Sequence, residues 1–576
     1  MKIALVQMNP ITGDISGNTK KIIKEIENAK KDFIDLIIFP EMAVTGYCIS
    51  DLIEDKSFVS ENINAIREIQ KSTSGIIAVI GFIDIDSKKK NEDGKIRRYN
   101  AAVVLQNKKI IGKSYKTLLP NYRYFDDKRY FSSSEKRKPI SVNIKNKIIK
   151  LGISICEDMW DDDYEIKPIK ELAEQGADLI ININASPFYP KKRSKRNDKI
   201  KQHIKNFKIP FVYVNTVGAS DNGKNIIPFD GESLFYDEKG NLLALGNQFK
   251  EETIIIDLDK KLPSIKIPEL NNEKEVYEAL VMSLKDYALK TGFKKAIIPI
   301  SGGIDSSLGL AITVDAFGAE NVSAYNLPSK FNTEITKSIA KKLASNLNIE
   351  YKIVPIQTID NEIKSTFEKN SHEIKNKVAK ENIHARIRGI LMMLESNDTG
   401  SLLISNGNET EIALGYATLY GDMCGGISII GDLTKIDVYK ISRYVNKKYK
   451  KEIIPEEVFK IKPSAELSEG QFDPFDYDVV APIVNEFVEN RIEPKDLVNL
   501  FKKRKLNPEK FLPYLDGKII YDKYDIETFK KLVYETYNLL RKSVYKRLQG
   551  PPIIVVSERA FGFDLRETLI NKWEGK

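Results

Sequence analysis

The chain has 576 residues, 42% hydrophobic and 30% charged, with a net charge of +9. This balance fits a soluble globular enzyme with room for about two to four domains. No apolar run approaches the ~18 residues of a membrane span, and the basic excess is spread over many lysines, which fits solvated faces better than a nucleic-acid patch. The three cysteines (Cys48, Cys156, Cys424) are too scattered for a disulfide framework or a CxxC zinc site. With only three histidines, a nucleophile here is expected to have a base other than His. Met1 opens a strand-like KIALVQM rather than a signal-peptide layout, so a cytoplasmic location is expected.

In chain order, Lys2–Met8 reads as a strand and Thr19–Lys30 as a helix. DLIIFP (35–40) is a second strand, followed directly by Glu41. Further strands are expected at 76–83 and 101–105, around a charged hairpin tip at Lys88–Arg98. Lys109–Lys113 leads to Lys116, and Ile148–Ile155 leads to Cys156. Asp178–Asn182, Phe211–Val214 and Ser233–Tyr236 close the series, giving an α/β class with some antiparallel pairing.

Glu41, Lys116 and Cys156 each follow a predicted strand. Neighbouring strands of one sheet would bring those ends together. A deprotonated Cys is a strong nucleophile. A carboxylate can take its proton and pass it to a leaving amine, and an ammonium can stabilise an oxyanion. Singly, each residue also has a bland reading as a small hydrophobe, a cap or a surface charge.

The strings FPEMAVTGY, YKTLLPNYRYFDDKRYF and CEDMW resemble the Glu–Lys–Cys motifs of the nitrilase superfamily, and in particular the glutaminase domain fused to NAD synthetase. The resemblance implies an αββα sandwich with Glu41 as general base, Lys116 as oxyanion stabiliser and Cys156 as nucleophile. It also implies glutamine contacts from Tyr122, Ser186 and Lys192. Lys192 opens a basic run, KKRSKRNDKIK, that a solvated helix face would equally explain. One departure is Asp127, where the family has Glu.

Residues 262–275 (LPSIKIPELNNEKE) read as a linker between a domain at 1–261 and one at 276–576. Val276–Leu289 is helical, and Ala296–Ile300 is a buried strand. Ser301-Gly302-Gly303-Ile304-Asp305-Ser306-Ser307 then turns into a helix. A Gly pair lets backbone approach a ligand, and a helix N-terminus suits phosphate. No Gly-Lys-Ser/Thr follows, so this is not a Walker A loop, and an Asp among phosphates makes sense if it holds Mg²⁺. Strands at 322–327 and 351–354 and a helix at 333–347 continue a parallel, doubly wound pattern. Residues 361–380 read as a helix or a mobile connection. Glu381–Leu394 places Asn382, Arg386 and Gly389 on one helix face, and Arg386 and Arg388 suit either phosphates or acids of a partner helix. A strand at 402–405 leads to Asn406-Gly407-Asn408-Glu409-Thr410-Glu411.

The 301–307 string resembles the loop of the ATP pyrophosphatases. Together with YNLPSKFNTE, ENIHARIRG, GYATLYGDMCGG, LTKIDVYK, PSAEL and KRLQGPP…SERAFGFDLRE, it resembles the synthetase domain of glutamine-dependent NAD synthetase, a Rossmann-like fold. The resemblance implies ATP binding by Pro299, Ile300, Ser301, Gly302, Gly303, Ile304, Asp305, Ser306, Asn406, Lys435 and Ser464. It implies deamido-NAD binding by Asn382, Glu411, Asp422 and Lys546, and Mg²⁺ ligation by Asp305 and Glu411. Asn406 and Glu409 depart from the family's Thr and Lys. The implied reaction amidates deamido-NAD through an acyl-adenylate, using ammonia from L-glutamine and giving AMP, pyrophosphate and glutamate, in a homo-oligomer without nucleic-acid or membrane partners. A weakened glutaminase domain, leaving an ammonia-using synthetase, is the alternative that the departures suggest.

Overall fold

The computed structural model describes residues 1–92, 94–464, 466–468, 470, 472–570 and 573. They form two compact units, one of Met1–Asn222 and Ile227–Leu270, the other of Gly223–Ile226 and Asn271–Lys576. Among the described residues no helix is long and apolar enough to cross a membrane.

The strands of the first half are β1 (Lys2–Gln7), β2 (Leu36–Ile38), β3 (Ile77–Lys90), β4 (Ile96–Gln106), β5 (Lys109–Tyr115), β6 (Ile140–Ile144), β7 (Lys147–Ile155), β8 (Leu179–Asn184), β9 (Phe211–Asn215), β10 (Val217–Asp221), β11 (Asn225–Asp230), β12 (Leu234–Tyr236), β13 (Leu242–Leu245) and β14 (Glu252–Asp257). The helices are α1 (Ile15–Lys31), α2 (Lys56–Gln70), α3 (Asp127–Tyr130), α4 (Pro168–Glu174) and α5 (Lys192–Phe207). Two sheets result, ordered β14-β1-β2-β3-β4-β5 and β13-β12-β9-β8-β7-β6. Each has a parallel centre, β1-β2-β3 and β7-β8-β9, with antiparallel flanks.

Strand alternation sorts the side chains between layers. Leu179, Ile181 and Ile183 of β8 join Ile3, Leu5, Leu36 and Ile38 of the other sheet in one core. Ile180 between them points the other way, onto Ile169 and Leu172 of α4 and Ile200 and Ile204 of α5. On the far side, α2 lies against β3 and α1 against α2. The result is an αββα sandwich. Burying each such Ile or Leu contributes about 1.5–3 kcal/mol.

Two expectations shift here. The charged stretch expected as a hairpin tip lies mostly in strand, because β3 runs on to Lys90 and β4 starts at Ile96, and the exposed Lys88, Lys89 and Lys90 solvate it. The end of the expected linker is helix, because Asn271 accepts the Lys274 N–H and caps it.

In the second unit α6 (Asn272–Thr291) precedes β15 (Ala296–Pro299), α7 (Ile304–Phe317), β16 (Val322–Asn326), α8 (Glu334–Asn346), β17 (Glu350–Ile353), α9 (Gln357–Asn370), α10 (Lys377–Thr399), β18 (Leu402–Ser405), α11 (Glu409–Leu414), β19 (Ile427–Ser428) and α12 (Lys435–Tyr449). The helices α13 (Tyr477–Val488), α14 (Pro494–Lys502), α15 (Ile520–Lys523), α16 (Ile526–Lys542) and α17 (Val544–Arg547) follow, then β20 (Ile553–Ile554). Strands run β20-β19-β18-β15-β16-β17, all parallel. The order reverses around β15, so the loop after it opens at a switch point of the sheet. The 361–380 stretch is helix to Asn370, is non-helical over 371–376, and re-enters helix at Lys377. The last helices make their own core, where Phe501 stacks on Phe529 at 4.1 Å.

Candidate functional site

The three strand ends do converge, but from two sheets rather than one. Glu41 follows β2 and Lys116 follows β5 in the first sheet, whereas Cys156 follows β7 in the second. Local apolar runs do not encode which sheet a strand joins.

Glu41 is buried, and its Oε1 accepts from Lys116 Nζ at 2.8 Å and Asn100 Nδ2 at 2.6 Å. Its Oε2 accepts the Ala185 N–H at 2.7 Å. Glycine is required at Gly81 on the neighbouring strand, because a Cβ there would lie 2.3 Å from the Pro40 carbonyl and 2.8 Å from the Glu41 carbonyl carbon. Lys116 also donates to Asp127 Oδ2 at 2.7 Å, and Asp127 Oδ1 accepts from the Tyr47 hydroxyl at 3.0 Å. Burial opposes the Lys116 charge, but Asp127 and Glu41 outweigh it and hold the ammonium well above its ordinary range.

Cys156 takes a left-handed backbone, φ 46°, at the head of a 3₁₀ turn over Cys156–Met159. Such a conformation is costly for a non-glycine residue and persists only where its surroundings hold it. Asp158 does the holding. Its Oδ2 accepts the Ile155 N–H at 3.0 Å, and its Oδ1 accepts Thr117 N–H at 2.9 Å and Leu118 N–H at 2.8 Å. One carboxylate thus ties the turn that opens at Cys156 to the loop that follows Lys116. Burial raises the Cys156 thiol well above its usual range, and Glu41 adds to this, while Lys116 and Lys192 pull it down.

The expected glutamine contacts are placed as follows. The Tyr122 hydroxyl lies 2.9 Å from both oxygens of Glu157, which also accepts from Tyr164 at 3.0 Å. Ser186 is held through its backbone by Asn215, at 2.8 and 3.1 Å. Lys192 is buried and donates to the Pro187 carbonyl at 2.8 Å. Burial lowers it to about 8. The basic run around it is not a solvated face: Lys192, Arg193, Arg196 and Lys199 are all buried, with Arg196 on Asp230 at 3.1 Å and Lys199 on Asp161 at 2.9 Å. Asn100, Asp158 and Glu157 escape sequence reasoning. The only signal was acid beside the cysteine in CEDMW.

In the second unit a cavity of about 320 Å³ is lined by the 299–306 loop together with Arg388, Asp422, Lys435 and Ser464. Gly302 has φ +89°, and a Cβ there would lie 2.1 Å from the Thr336 carbonyl. The Ser301 hydroxyl accepts the Gly303 N–H at 3.2 Å, and Gly303 opens α7. Asp305 and Glu411 converge on Lys435, at 2.6 and 2.9 Å from its Nζ. Asn408 donates to the second Asp305 oxygen at 2.7 Å. Burial pushes Glu411 up to about 7 against the pull of Lys435. Asn406 lines the cavity and donates to the Pro299 carbonyl at 2.8 Å. Ala465, inside PSAEL, lies outside the described residues. Its neighbour Glu466 accepts from Asn332 at 2.8 Å and from the Thr336 hydroxyl at 3.1 Å.

Asn382 and Lys546 are set back from the lining. Asn382 accepts from Thr418 at 2.8 Å, and Lys546 donates to the Gly415 and Ala417 carbonyls at 2.7 and 2.8 Å. Both hold the loop that carries Asp422, whose Oδ1 accepts the Thr418 N–H at 2.6 Å. Glu409 is also absent from the lining. It is buried in the first turn of α11, and neither carboxylate oxygen has a hydrogen-bond partner among the described residues. Burial raises it well above the carboxylate range, with Asp432 adding to the shift.

Residues 2–266 match the carbon-nitrogen hydrolase family, and residues 276–511 match NAD synthase. The chain is 34% identical to the glutamine-dependent NAD(+) synthetase of Thermotoga maritima, covering 100% of this chain and 99% of that one. It is 34% identical to the Synechocystis sp. enzyme of the same name, covering 97% of each. A solved glutamine-dependent NAD+ synthetase from Acinetobacter baumannii, in complex with adenosine diphosphate, superposes with a TM-score of 0.73 at 32% identity. That match covers 100% of this chain and 99% of the solved one.

Proposed function

The chain belongs to the glutamine-dependent NAD(+) synthetases, and from that premise we propose how its residues divide the work. It is a ligase that forms NAD from deamido-NAD, with ATP and with nitrogen from glutamine. We assign the glutaminase to residues 1–261, the linker to 262–275 and the synthetase to 276–576. The observation that carries the reading is the buried Glu41–Lys116–Asp127 chain beside Cys156.

In the first unit, Cys156 Sγ attacks the glutamine amide carbon while its proton passes to Glu41. Lys116 stabilises the oxyanion, and Glu41 returns the proton to the departing ammonia. Water then attacks the thioester carbon as Glu41 accepts its proton, the C–S bond breaks, Glu41 returns the proton to Cys156 Sγ, and glutamate leaves. In the second unit, the pyridine carboxylate of deamido-NAD attacks the ATP α-phosphorus, pyrophosphate leaves, and ammonia displaces AMP from the acyl-adenylate. The N–H groups of the 301–306 loop bind the triphosphate at the head of α7.

Asp305 and Glu411 would hold Mg²⁺. Two carboxylate oxygens that converge on one nitrogen within 2.9 Å form a hard donor set suited to it. When bound, Mg²⁺ supplies charge neutralisation to the triphosphate and pyrophosphate. The reading also includes a cytoplasmic homo-oligomer. In its support, α10 exposes Ile390, Met393 and Leu394 on one face.

The test is NAD formation with glutamine or ammonium as donor, in wild type and Cys156→Ala. Glutamine-supported synthesis is expected to vanish in the variant while ammonium-supported synthesis persists. If wild type used only ammonium, the weakened-glutaminase alternative would replace this reading.

A further inference from the structure

The acids at the nucleotide cavity already hold a cation that belongs to the chain. Lys435 Nζ lies 2.6 Å from Asp305 Oδ2 and 2.9 Å from Glu411 Oε1. The ammonium side chain is 3% exposed, whereas each carboxylate is 18% exposed. The lysine is thus the most buried of three groups that all line the cavity.

Several contacts fix the lysine there. Its backbone N–H donates to Thr410 Oγ1 at 3.1 Å. Thr434 and Asp437 form a capping box around the start of α12. The ammonium also lies 5.1 Å from the Tyr477 ring, and Tyr477 is itself bonded to Asp473 at 2.8 Å.

The charge balance has a consequence. Lys435 offsets one of the two carboxylate charges from between them, while Asp473, a further acid on the same cavity wall, acts on both Asp305 and Glu411. A bare divalent ion entering this site would shed tightly held water and face a cation at close range in a poorly screened interior. A triphosphate changes both conditions, because it brings its own negative charge and oxygen ligands. We propose that Lys435 makes the divalent-cation site nucleotide-dependent: the free protein rejects the bare ion, and the metal enters only as its nucleotide complex. This rests on the assignment of Asp305 and Glu411 as metal ligands. Lys435 is then a positioning residue that sets the order of assembly.

The experiment titrates the full-length protein with Mn²⁺ and follows water-proton relaxation, which reports metal on the macromolecule independently of turnover. The arms are wild type, Lys435→Met and Lys435→Arg, each with and without the non-cleavable analogue α,β-methylene-ATP. Wild type and Lys435→Arg are expected to bind bare Mn²⁺ weakly. Lys435→Met is expected to bind it about tenfold more tightly or better, because the competing charge is gone. Equal bare-ion affinity in wild type and Lys435→Met overturns the proposal. So does wild-type binding that is indifferent to the nucleotide, an arm that holds even if Lys435→Met does not fold. Asp305→Asn with Glu411→Gln tests the underlying assignment separately. If nucleotide-dependent Mn²⁺ binding survives that double change, the ligands themselves are misassigned.

Discussion

Asp127 Oδ2 lies 2.7 Å from Lys116 Nζ, so the shorter acid reaches the lysine despite lacking a methylene. Its position explains the reach. Asp127 is the first residue of α3, and its backbone N–H is fastened to the Pro120 carbonyl at 3.1 Å. The Tyr47 hydroxyl then orients its other oxygen at 3.0 Å. Lys116 is thus bracketed by two carboxylates, with all three side chains buried.

Removing the Asp127 charge leaves Lys116 tied to Glu41 alone and free to turn away from the developing oxyanion. Loss of one oriented oxyanion donor costs about 10²–10³ in rate. Asp127→Asn retains hydrogen bonding, so a fall of about 10–10²-fold in glutamine-supported synthesis is expected. Ammonium-supported synthesis should be unchanged, since the second unit is untouched. Steady-state rates with both donors check this, and an equal fall with both would point to a general folding defect instead.

Cys156 rests as a thiol. Burial and the Glu41 charge hold it well above its ordinary range, and the two lysines do not cancel them. Its thiolate fraction is therefore below that of a free cysteine at every pH up to that range. Iodoacetamide labelling of Cys156, followed by peptide mass, should keep rising through pH 9 without levelling. A plateau centred near the ordinary thiol value of about 8.5 would mean a preformed thiolate and would remove Glu41 from the attack step.

Much of this was legible in the chain. Glu41, Lys116 and Cys156 were placed at strand ends because each follows a strand-like run, DLIIFP, Lys109–Lys113 or Ile148–Ile155. The Gly-rich turn after Ala296–Pro299 was legible for the same reason. What local pattern lacks is pairing at a distance. The split of strands between two sheets is one case. The inward face of α5 is another: Arg196 is buried because Asp230 and Glu232, more than thirty positions away, return beside it. Asp158 is a third. Two of its three N–H partners, Thr117 and Leu118, lie about forty positions before it, and nothing in CEDMW announces them.

Glu409 makes stability depend on pH. Its folded-state pKa is raised by burial and by Asp432, which is itself raised to about 8 by burial. An acid with a raised folded pKa stabilises the protein fully below its unfolded value near 4.5, and that contribution is lost as pH rises through the folded value. Wild type should therefore lose stability between about pH 5 and pH 8, at up to ~1.4 kcal/mol per pH unit for the group. Glu409→Gln removes that titration. Its melting temperature should exceed that of wild type by more at pH 8 than at pH 5.5, by about 2–4 °C per kcal/mol recovered. Parallel melting profiles across that range would mean Glu409 has a charge partner in solution.

Gly302 and Gly303 are adjacent but not equivalent. At Gly302, φ is +89° and a Cβ would sit 2.1 Å from the Thr336 carbonyl, a backbone atom at the head of α8. Neither the dihedral nor the neighbour can give way cheaply. At Gly303, φ is −82°, and the nearest atom to a Cβ is the Ser301 hydroxyl at 3.3 Å, a side chain that can rotate. Gly302→Ala should lower unfolding free energy by about 2–4 kcal/mol, from strain and overpacking together. Gly303→Ala, at a helix cap, should change it by less than about 1 kcal/mol. Denaturant melts measure both. In activity, Gly302→Ala should lose synthesis with either nitrogen donor, because the loop to which we assign triphosphate binding would move. Glutamate release from glutamine should persist, since we assign that chemistry to Glu41, Lys116 and Cys156. Equal stability of the two alanine variants would mean that the loop does not press on Thr336 in solution.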